Sequence, residues 1–494
     1  AEIRPDRTDE LASHVRRGAI AIGPWYVQPD SLLPSGEAHV RNLLVGREVG
    51  ERFGPVSTAA YVPDSFGHPA QFPQLFAGFG LDGFVYWRGN GREWDDLGPR
   101  WVWRAPDGSR IRALVTTEGY YSAARLDPVA DDGRDLDETV DRLATTVGRL
   151  RAAGEEPVLL MNGFDHTRPD RQTRTVVEAL VSRLGEPVTR SLLDDVVAAA
   201  PPVADLPEHQ GPLLGARLSN LLPGVWSARM PIKLANRRAE ARLEQWAEPW
   251  AALGATLGLA DERAALGSAW RSLLQNQAHD SICGCSVDAT HERMGARFDD
   301  AARLASETTD RVLHRLAGRA AEREVPWSDT ATVTVFNPSP HPVTDVVRVP
   351  LDLEPALALA LGEPQLHPLA TALLSGGLTV DGRPARLVPS AEPHAQWVPD
   401  QSPMDVELVA RDVPAFGSRR YTLEAGAAVE DEVDAGRVVA TDEGTVEVEA
   451  GGTMAVTHGG DRWTGLFGLE DVGDRGDSYD HAPGGEPSTP APVE

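Results

Sequence analysis

The stretch YVPDSFGHPAQFPQ, residues 61–74, places a carboxylate directly after an apolar run. In a β/α fold, a buried strand delivers polar side chains to the edge of the sheet, where the functional sites of such folds form. We therefore predict a strand that ends just before Asp64, with Asp64 in a functional site. A single aspartate after a strand is more often a turn or helix-capping residue, so the prediction depends on what surrounds it.

Further apolar runs alternate with amphipathic segments over residues 1–215. The runs are AIAIGPWYV (19–27), STAAYV (57–62), GFVYW (83–87), IRALVT (111–116) and PVLLMNG (157–163). This alternation predicts a β/α domain with a largely parallel sheet. Polar residues follow several runs, namely Arg88, Tyr120, Tyr121, Asp165 and His166. We expect Asp64, Asp165 and Arg88 to face one mouth of the sheet.

Residues 216–325 have a helical period instead, which predicts two or three packed helices. Pro249 should kink the first of these helices. A later helix has one apolar face and is expected to end at His279 and Asp280; its apolar residues are Leu266, Trp270, Leu273 and Leu274. Taken alone, His279 is more often a structural histidine than a metal ligand.

Residues 326–494 alternate in the manner of strands, for example in ATVTVFN (331–337), TDVVRVP (344–350) and TVEVEA (445–450). This pattern predicts an all-β region that is incomplete at its end. With 494 residues, the chain is long enough for two to four domains.

Composition excludes several classes of partner. A net charge of -27 and a pI near 4.9 disfavour nucleic acid and anionic membrane surfaces. No apolar run approaches the roughly 18 residues that a membrane-spanning helix needs. The only cysteines, Cys283 and Cys285, favour a reducing cytoplasm. A single Cys-x-Cys is weak evidence for zinc, so both are predicted to be packing residues.

Three blocks of sequence resemble α-mannosidases of glycoside hydrolase family 38. The first block combines residues 24–46 and 61–80, the second combines residues 217–240 and 278–294, and the third is DVGDRGDSYD (471–480). The resemblance implies a partial seven-stranded β/α barrel, a helical-bundle middle domain and the start of a β-sandwich. It also implies a retaining α-mannosidase that forms a covalent glycosyl-enzyme.

The resemblance assigns a role to each matching residue. Asp64 matches the nucleophile, which is also a metal ligand, and Asp165 matches the general acid/base. His279 matches a second metal ligand. Arg88, Asp280 and Tyr121 match substrate-binding positions, although Tyr120 fits as well as Tyr121. The acid/base must be protonated to serve the leaving oxygen and ionised to activate water.

The metal implied by the resemblance is one Zn²⁺ per site, which cobalt, manganese or calcium could replace. Such an ion chelates the cis 2- and 3-hydroxyls of mannose. The family's other two metal ligands come from a His-x-Asp element, and this chain contains no His-x-Asp. We therefore expect that the start of the catalytic domain and the end of the β-rich region are missing. Residues 1–494 alone should be inactive.

Two other classes of protein would use similar residues. A metal-dependent deacetylase or amidase would need histidine and aspartate ligands, but not two strand-end carboxylates. A non-catalytic carbohydrate-binding relative would be expected to lose Asp64 or Asp165 first, and both are present. The expected substrate is an oligosaccharide or a small α-mannoside of undetermined linkage, and the resemblance allows a homo-oligomer.

Overall fold

The computed structural model describes residues 3–126, 135–318, 330–350, 377–389, 404–426, 437–441 and 444–485. The chain divides into two compact units. The first unit contains Ala1–Glu244, Arg263–Ala305 and Asp474–Ala482, and the second contains Gln245–Glu262, Ser306–Gly473 and Pro483–Glu494. Among the described helices, none is both long and apolar enough to cross a membrane.

The described α-helices occupy the N-terminal two thirds of the chain. They are α1 (Thr8–Arg16), α2 (Gly36–Glu51), α3 (Phe72–Gly78), α4 (Trp94–Leu97), α5 (Leu136–Ala152), α6 (Thr173–Leu184), α7 (Leu193–Ala199), α8 (Met230–Ala241), α9 (Glu248–Thr256), α10 (Arg263–Asn276), α11 (His279–Ile282) and α12 (Asp288–Leu316). Short 3₁₀ turns are Pro5–Arg7, Gly119–Tyr121, Val203–Asp205 and Pro223–Trp226. The Asp135 carboxylate caps α5 in a capping box with Glu138.

One mixed sheet organises the first unit. Its strands are β1 (Ala59–Val62), β2 (Gly83–Tyr86), β3 (Arg100–Arg104), β4 (Arg110–Val115) and β5 (Glu208–Gln210). The order is β1-β2-β4-β3-β5; β1, β2 and β4 run parallel, β3 is antiparallel to β4, and β5 is parallel to β3. Strands β1, β2 and β4 overlap three of the apolar runs, 57–62, 83–87 and 111–116, and confirm the prediction of strands there.

Both faces of this sheet are covered, which explains why its central strand is apolar throughout. All four residues of β2 are buried. Phe84 and Tyr86 stack in an aromatic cluster on one face, with ring centroids 4.7 Å apart. Val85 packs on the other face against Val197 of α7. A strand that is buried on both sides carries no polar alternation.

Two predicted strands do not form. In the run 19–27, Pro24 has no N–H, and the backbone N–H groups of Tyr26 and Val27 donate to the Asn42 side chain at 2.8 and 3.1 Å. These donors are therefore satisfied without a neighbouring strand.

The run 157–163 is also irregular. Its Met161 N–H donates to the Ser122 hydroxyl at 3.0 Å, and a cavity of about 1060 Å³ lies beside it. No described strand pairs with this run. The sheet has five described strands, so the partial seven-stranded barrel stays a prediction.

The helical prediction is confirmed for the region after residue 220. Leu266, Trp270, Leu273 and Leu274 are all buried on α10. Helix α10 ends at Asn276, three residues before His279, and His279 opens the short helix α11. Pro249 is the second residue of α9, directly after a π-helical stretch at Arg242–Ala247. A helix distorted at proline is what the missing N–H predicts.

The second unit contains two antiparallel sheets. One has the order β6-β11-β8-β9-β10-β7 and the other the order β12-β13-β14-β15. The strands are β6 (Thr330–Asn337), β7 (Val343–Pro350), β8 (Leu378–Val380), β9 (Arg383–Pro389), β10 (Met404–Val413), β11 (Gly417–Ala425), β12 (Val438–Thr441), β13 (Gly444–Val448), β14 (Met454–His458) and β15 (Asp461–Leu466). Apolar side chains from all six strands of the first sheet share one core. The predicted strands are confirmed, and a β-sandwich stays a prediction.

Candidate active site

The parallel register of β1 and β2 brings Asp64 and Arg88 together. Val62 of β1 lies opposite Tyr86 of β2, and each functional residue follows two positions later. Arg88 Nε donates to Asp64 Oδ1 at 2.6 Å. The two side chains are 12% and 18% exposed, so the ion pair is largely shielded from water. Such charge-assisted hydrogen bonds orient a carboxylate strongly.

Arg88 is itself held by its surroundings. A second guanidinium N–H donates to the backbone oxygen of Asn220 at 2.6 Å. The guanidinium carbon also lies 4.4 Å from the centre of the Trp87 ring, which is cation–π distance. Arg88 therefore presents a fixed positive charge to Asp64.

Tyr120 connects the two candidate catalytic carboxylates. It lies in the 3₁₀ turn that follows β4, and its hydroxyl is 3.2 Å from Asp64 Oδ2 and 2.9 Å from Asp165 Oδ2. The pKa of Tyr120 is above its ordinary value, because burial and the charges of Asp64 and Asp165 disfavour the phenolate. The phenol is therefore a neutral donor with one hydrogen for two carboxyl groups.

Asp165 follows the irregular run 157–163 and is exposed. The neighbouring His166 is exposed as well and has a left-handed backbone with φ 58°. Tyr121 lies beside this pair, with its ring centroid 5.4 Å from Trp87 and 5.3 Å from Phe164. The structure thus places Tyr120 against the carboxylates and Tyr121 in an aromatic cluster at their side.

His279 reaches the same region through the segment that contains Gln28 and Pro29. The His279 N–H donates to Gln28 O at 3.1 Å, and the Ser65 hydroxyl donates to Pro29 O at 2.6 Å. The loop after β1 and the start of α11 are therefore fixed to one segment. The His279 ring lies 6.2 Å from the Phe66 ring, centroid to centroid.

The ring orientation of His279 suits a metal ligand. Nδ1 lies 3.2 Å from Gln28 O, which can only accept, so Nδ1 carries the proton and Nε2 keeps its lone pair. Asp64 keeps further lone pairs, since each carboxylate oxygen has two and one protein donor contacts each oxygen. The residues present thus fit the two metal-ligand roles that the resemblance implies for them. The Asp280 side chain is 61% exposed, with Oδ2 3.8 Å from His279 Nε2.

Asp30 is a residue of this region that sequence reasoning missed. It is 1% exposed, and its Oδ1 accepts hydrogen bonds from the N–H groups of Leu32 and Leu33. Its Oδ2 is buried without a partner among the described residues. Burial raises the pKa of Asp30, and the nearby His279 acts in the opposite direction. In the sequence, Asp30 has the pattern of a turn aspartate, and only tertiary burial distinguishes it.

Comparisons with known proteins identify the family of the chain. The profile described as "Glycosyl hydrolases family 38 N-terminal domain" matches residues 1–188, and that described as "Alpha mannosidase middle domain" matches residues 220–316. The chain belongs to glycoside hydrolase family 38. The family 38 resemblance seen in the sequence is thereby confirmed.

Individual proteins that resemble this family 38 chain have 25–31% sequence identity to it over the aligned residues. A protein of Halalkalibacterium halodurans named "Putative mannosylglycerate hydrolase" is 31% identical over 323 residues, which are 60% of this chain and 34% of that protein. Human "Alpha-mannosidase 2C1" is 25% identical over 295 residues, which are 57% of this chain and 26% of that protein. The chain thus spans about a third or less of these relatives.

The fold also matches a solved structure. The crystal structure of an α-mannosidase from Enterococcus faecalis V583 superimposes with a TM-score of 0.77 at 24% identity. The superposition covers 98% of this chain and 57% of that chain. This family 38 chain therefore has the mixed α/β fold of that structure over the matched part.

Proposed function

We propose that the protein containing this chain is a retaining α-mannosidase with Asp64 as nucleophile and Asp165 as general acid/base. The observation that carries the proposal is the Tyr120 hydroxyl, which lies 3.2 Å from one carboxylate and 2.9 Å from the other. Two oxygens that share one hydroxyl are at most about 6 Å apart, below the roughly 6.5–9.5 Å of inverting glycosidases. This separation supports a double-displacement reaction with retention.

The contacts of the two carboxyl groups support the division of roles. Asp64 is largely buried and accepts hydrogen bonds from Arg88 Nε at 2.6 Å and from the Tyr120 hydroxyl at 3.2 Å, so it is held in one orientation beside a fixed positive charge. Asp165 is exposed, and the Tyr120 hydroxyl is its hydrogen-bond donor at 2.9 Å. An oriented carboxylate suits a nucleophile, and a carboxyl group open to water suits the group that must lose and regain a proton.

The reaction then follows in two displacements. Asp64 attacks the anomeric carbon while Asp165 donates its proton to the leaving oxygen, which gives a glycosyl ester on Asp64. Asp165, now ionised, takes a proton from water, and that water attacks the anomeric carbon and frees Asp64. Arg88 holds Asp64 Oδ1 in place throughout.

Asp64 and His279 would hold a zinc ion, which supplies a Lewis acid for two sugar hydroxyls when it is bound. In that arrangement, Asp280 would accept hydrogen bonds from the sugar. The chain itself supplies the orientation of these groups, through the bonds of His279 to Gln28. Manganese, cobalt or calcium could take the place of zinc.

The names of the relatives indicate a mannoside, but they differ in the rest of the substrate. One relative is named a putative mannosylglycerate hydrolase and others are named α-mannosidases. We propose an α-mannoside, with mannosylglycerate as the first small substrate to test against manno-oligosaccharides. A tenfold or larger difference in kcat/KM between the two would identify the class.

Mechanism-based labelling tests the proposal in the full protein. A fluorinated α-mannosyl fluoride should form an ester that mass spectrometry of peptides locates on Asp64. The Asp64→Asn variant should lose turnover and labelling and keep its fold by circular dichroism. Asp165→Ala should lose about 10²- to 10⁴-fold on poor leaving groups and less on activated aryl mannosides.

The control variant is Asp95→Asn, which removes an exposed carboxylate paired with Arg217 at 3.1 Å. It should act like the wild type on all substrates. A label on any residue other than Asp64, or near-normal turnover in Asp64→Asn, would refute the assignment. A non-catalytic carbohydrate-binding protein would bind mannosides and take no label.

A further inference from the structure

The loop at residues 280–285 gathers three side chains that can bind a metal. Asp280, Cys283 and Cys285 each place one ligand atom within 4.8 Å of the other two. The sulfurs are 3.0 Å apart and not bonded, and Cys285 Sγ lies 3.4 Å from Asp280 Oδ1. We propose that these three side chains form a site for one thiophilic cation of the zinc and cadmium class, separate from the site that Asp64 and His279 would serve.

The backbone holds the loop in the conformation that brings these atoms together. Gly284 lies between the cysteines with φ 90°, a conformation that other residues rarely adopt. The Ser286 N–H and hydroxyl both bond to the backbone oxygen of Asp280, at 3.1 and 2.8 Å, and close the loop. The three ligand atoms are therefore preorganised, which reduces the entropy lost on binding an ion.

The distances are close to those of a metal centre. Zinc binds thiolate at about 2.3 Å and carboxylate at about 2.0–2.2 Å, so ligand atoms around one tetrahedral ion lie roughly 3.5–3.8 Å apart. The 3.4 Å between Cys285 and Asp280 already fits. The 3.0 Å between the sulfurs needs to open by less than 1 Å, which a side-chain rotation supplies.

The chemistry of the pair favours a thiophilic ion. Two of the three ligand atoms are sulfurs, and sulfur ligands select zinc and cadmium over hard cations such as calcium. The cations nearby, Lys233 and Arg229, donate to the backbone oxygens of Cys283 and Gly284 at 2.7 and 3.0 Å, while Cys285 has a side-chain hydrogen bond with Tyr479 that an ion would have to displace. The positive charges of Lys233 and Arg229 disfavour cations that bind through electrostatic attraction alone. Cadmium or zinc should therefore bind, and calcium should not.

The three proposed ligands differ in their exposure to solvent. Cys283 is fully buried and packs with Phe66 and Val225, which confirms its predicted packing role. Cys285 is half-buried, and Asp280 is 61% exposed. An ion would thus enter past Asp280, and water can fill the fourth position. Because Asp280 is also the proposed sugar contact, an ion here would take its carboxylate away from the substrate.

Cadmium titration of the reduced full protein tests the proposal, with thiolate-to-cadmium charge-transfer absorption as the readout. Residues 1–494 contain only these two cysteines, so the part of the band that a Cys283→Ser, Cys285→Ser variant loses reports this pair. One equivalent of Cd²⁺ should saturate the band in the wild type, and calcium should not compete. Cys285→Ser should abolish the band. His279→Gln should keep it, because His279 is not one of the three proposed ligands.

The carboxylate is tested by a matched pair of variants. Asp280→Asn should weaken cadmium binding by about tenfold or more, since loss of even an outer-shell partner of a metal costs roughly 10- to 100-fold. Asp288→Asn removes an exposed carboxylate that pairs with Arg229 beside the same loop, and it should leave the affinity unchanged. Absence of the band in the reduced wild type, or equal affinities in both variants, would overturn the proposal.

Discussion

The Tyr120 hydroxyl contacts the carboxyl groups of both Asp64 and Asp165, so removing this one oxygen tests the connection between them. Tyr120→Phe removes a hydrogen bond to a charged group, worth about 1.5–3 kcal/mol. We therefore expect kcat/KM on an aryl α-mannoside to fall by about 10- to 100-fold. The fold should persist, since the ring contact of Tyr120 with Trp87 at 5.7 Å remains.

The matched control is Tyr26→Phe, which removes a hydroxyl that accepts from Gln275 at 3.0 Å outside the carboxylate pair. It should change kcat/KM less than twofold. A Tyr120→Phe variant with wild-type kcat/KM would mean that the hydroxyl does not join the two carboxyl groups in solution.

Two buried histidines should make the first unit sensitive to acid. Burial lowers the pKa of His39 to about 4 and that of His68 to about 3, against an ordinary value of 6.5. Between these values and 6.5 the unfolded chain binds more protons than the native state, so stability rises with pH across that window. Each histidine contributes a slope of up to about 1.36 kcal/mol per pH unit.

Urea unfolding at pH 5 and pH 7 measures this slope. His39→Gln and His68→Gln should each reduce the loss of stability at pH 5, even where they lower stability at pH 7. His166→Gln, at an exposed histidine, should leave the slope at its wild-type value. An unchanged slope in both buried variants would contradict the role of burial.

At the scale of elements, helix α2 packs so closely against the backbone of residues 24–26 that one of its positions requires glycine. Gly46 lies in α2, and a Cβ there would meet the backbone of Pro24, Trp25 and Tyr26, with Trp25 C at 2.6 Å. Gly46→Ala should destabilise the protein by about 1–3 kcal/mol despite the better helix propensity of alanine. In α5, Gly148→Ala meets nothing within 4 Å and should stabilise by about 0.5–1 kcal/mol. Denaturant midpoints with opposite signs are the expected result, and equal signs would refute it.

Elements also show which parts of the fold the sequence predicts. Strands β1, β2 and β4 were predictable because each is an apolar run that a helix or turn follows. The runs 19–27 and 157–163 look the same in sequence, yet a strand exists only where a neighbour pairs with it. Pairing depends on tertiary contacts, which a single apolar run does not encode.

In the candidate site, too, some contacts could be predicted from the sequence and others could not. The contact of Asp64 with Arg88 follows from two parallel strands in register, which alternation predicts. The choice between Tyr120 and Tyr121 depends on a 3₁₀ turn, where successive side chains diverge by roughly 120°. The burial of Asp30 is created by segments far apart in sequence, so only the folded chain reveals it.

At the scale of the whole molecule, the number of metal ligands decides whether residues 1–494 alone can hold zinc. Asp64 and His279 are the two proposed ligands, and the sequence contains no His-x-Asp, the element from which the family resemblance implies the other two. Two ligands from segments far apart in sequence offset little of the entropy of ordering them. We expect the isolated chain to bind zinc weakly at this site and to lack α-mannosidase activity.

Zinc content should be measured after dialysis in a Cys283→Ser, Cys285→Ser background, which removes the thiolate site. One tightly bound zinc that disappears in an added His279→Gln variant would show that the described chain completes the site by itself.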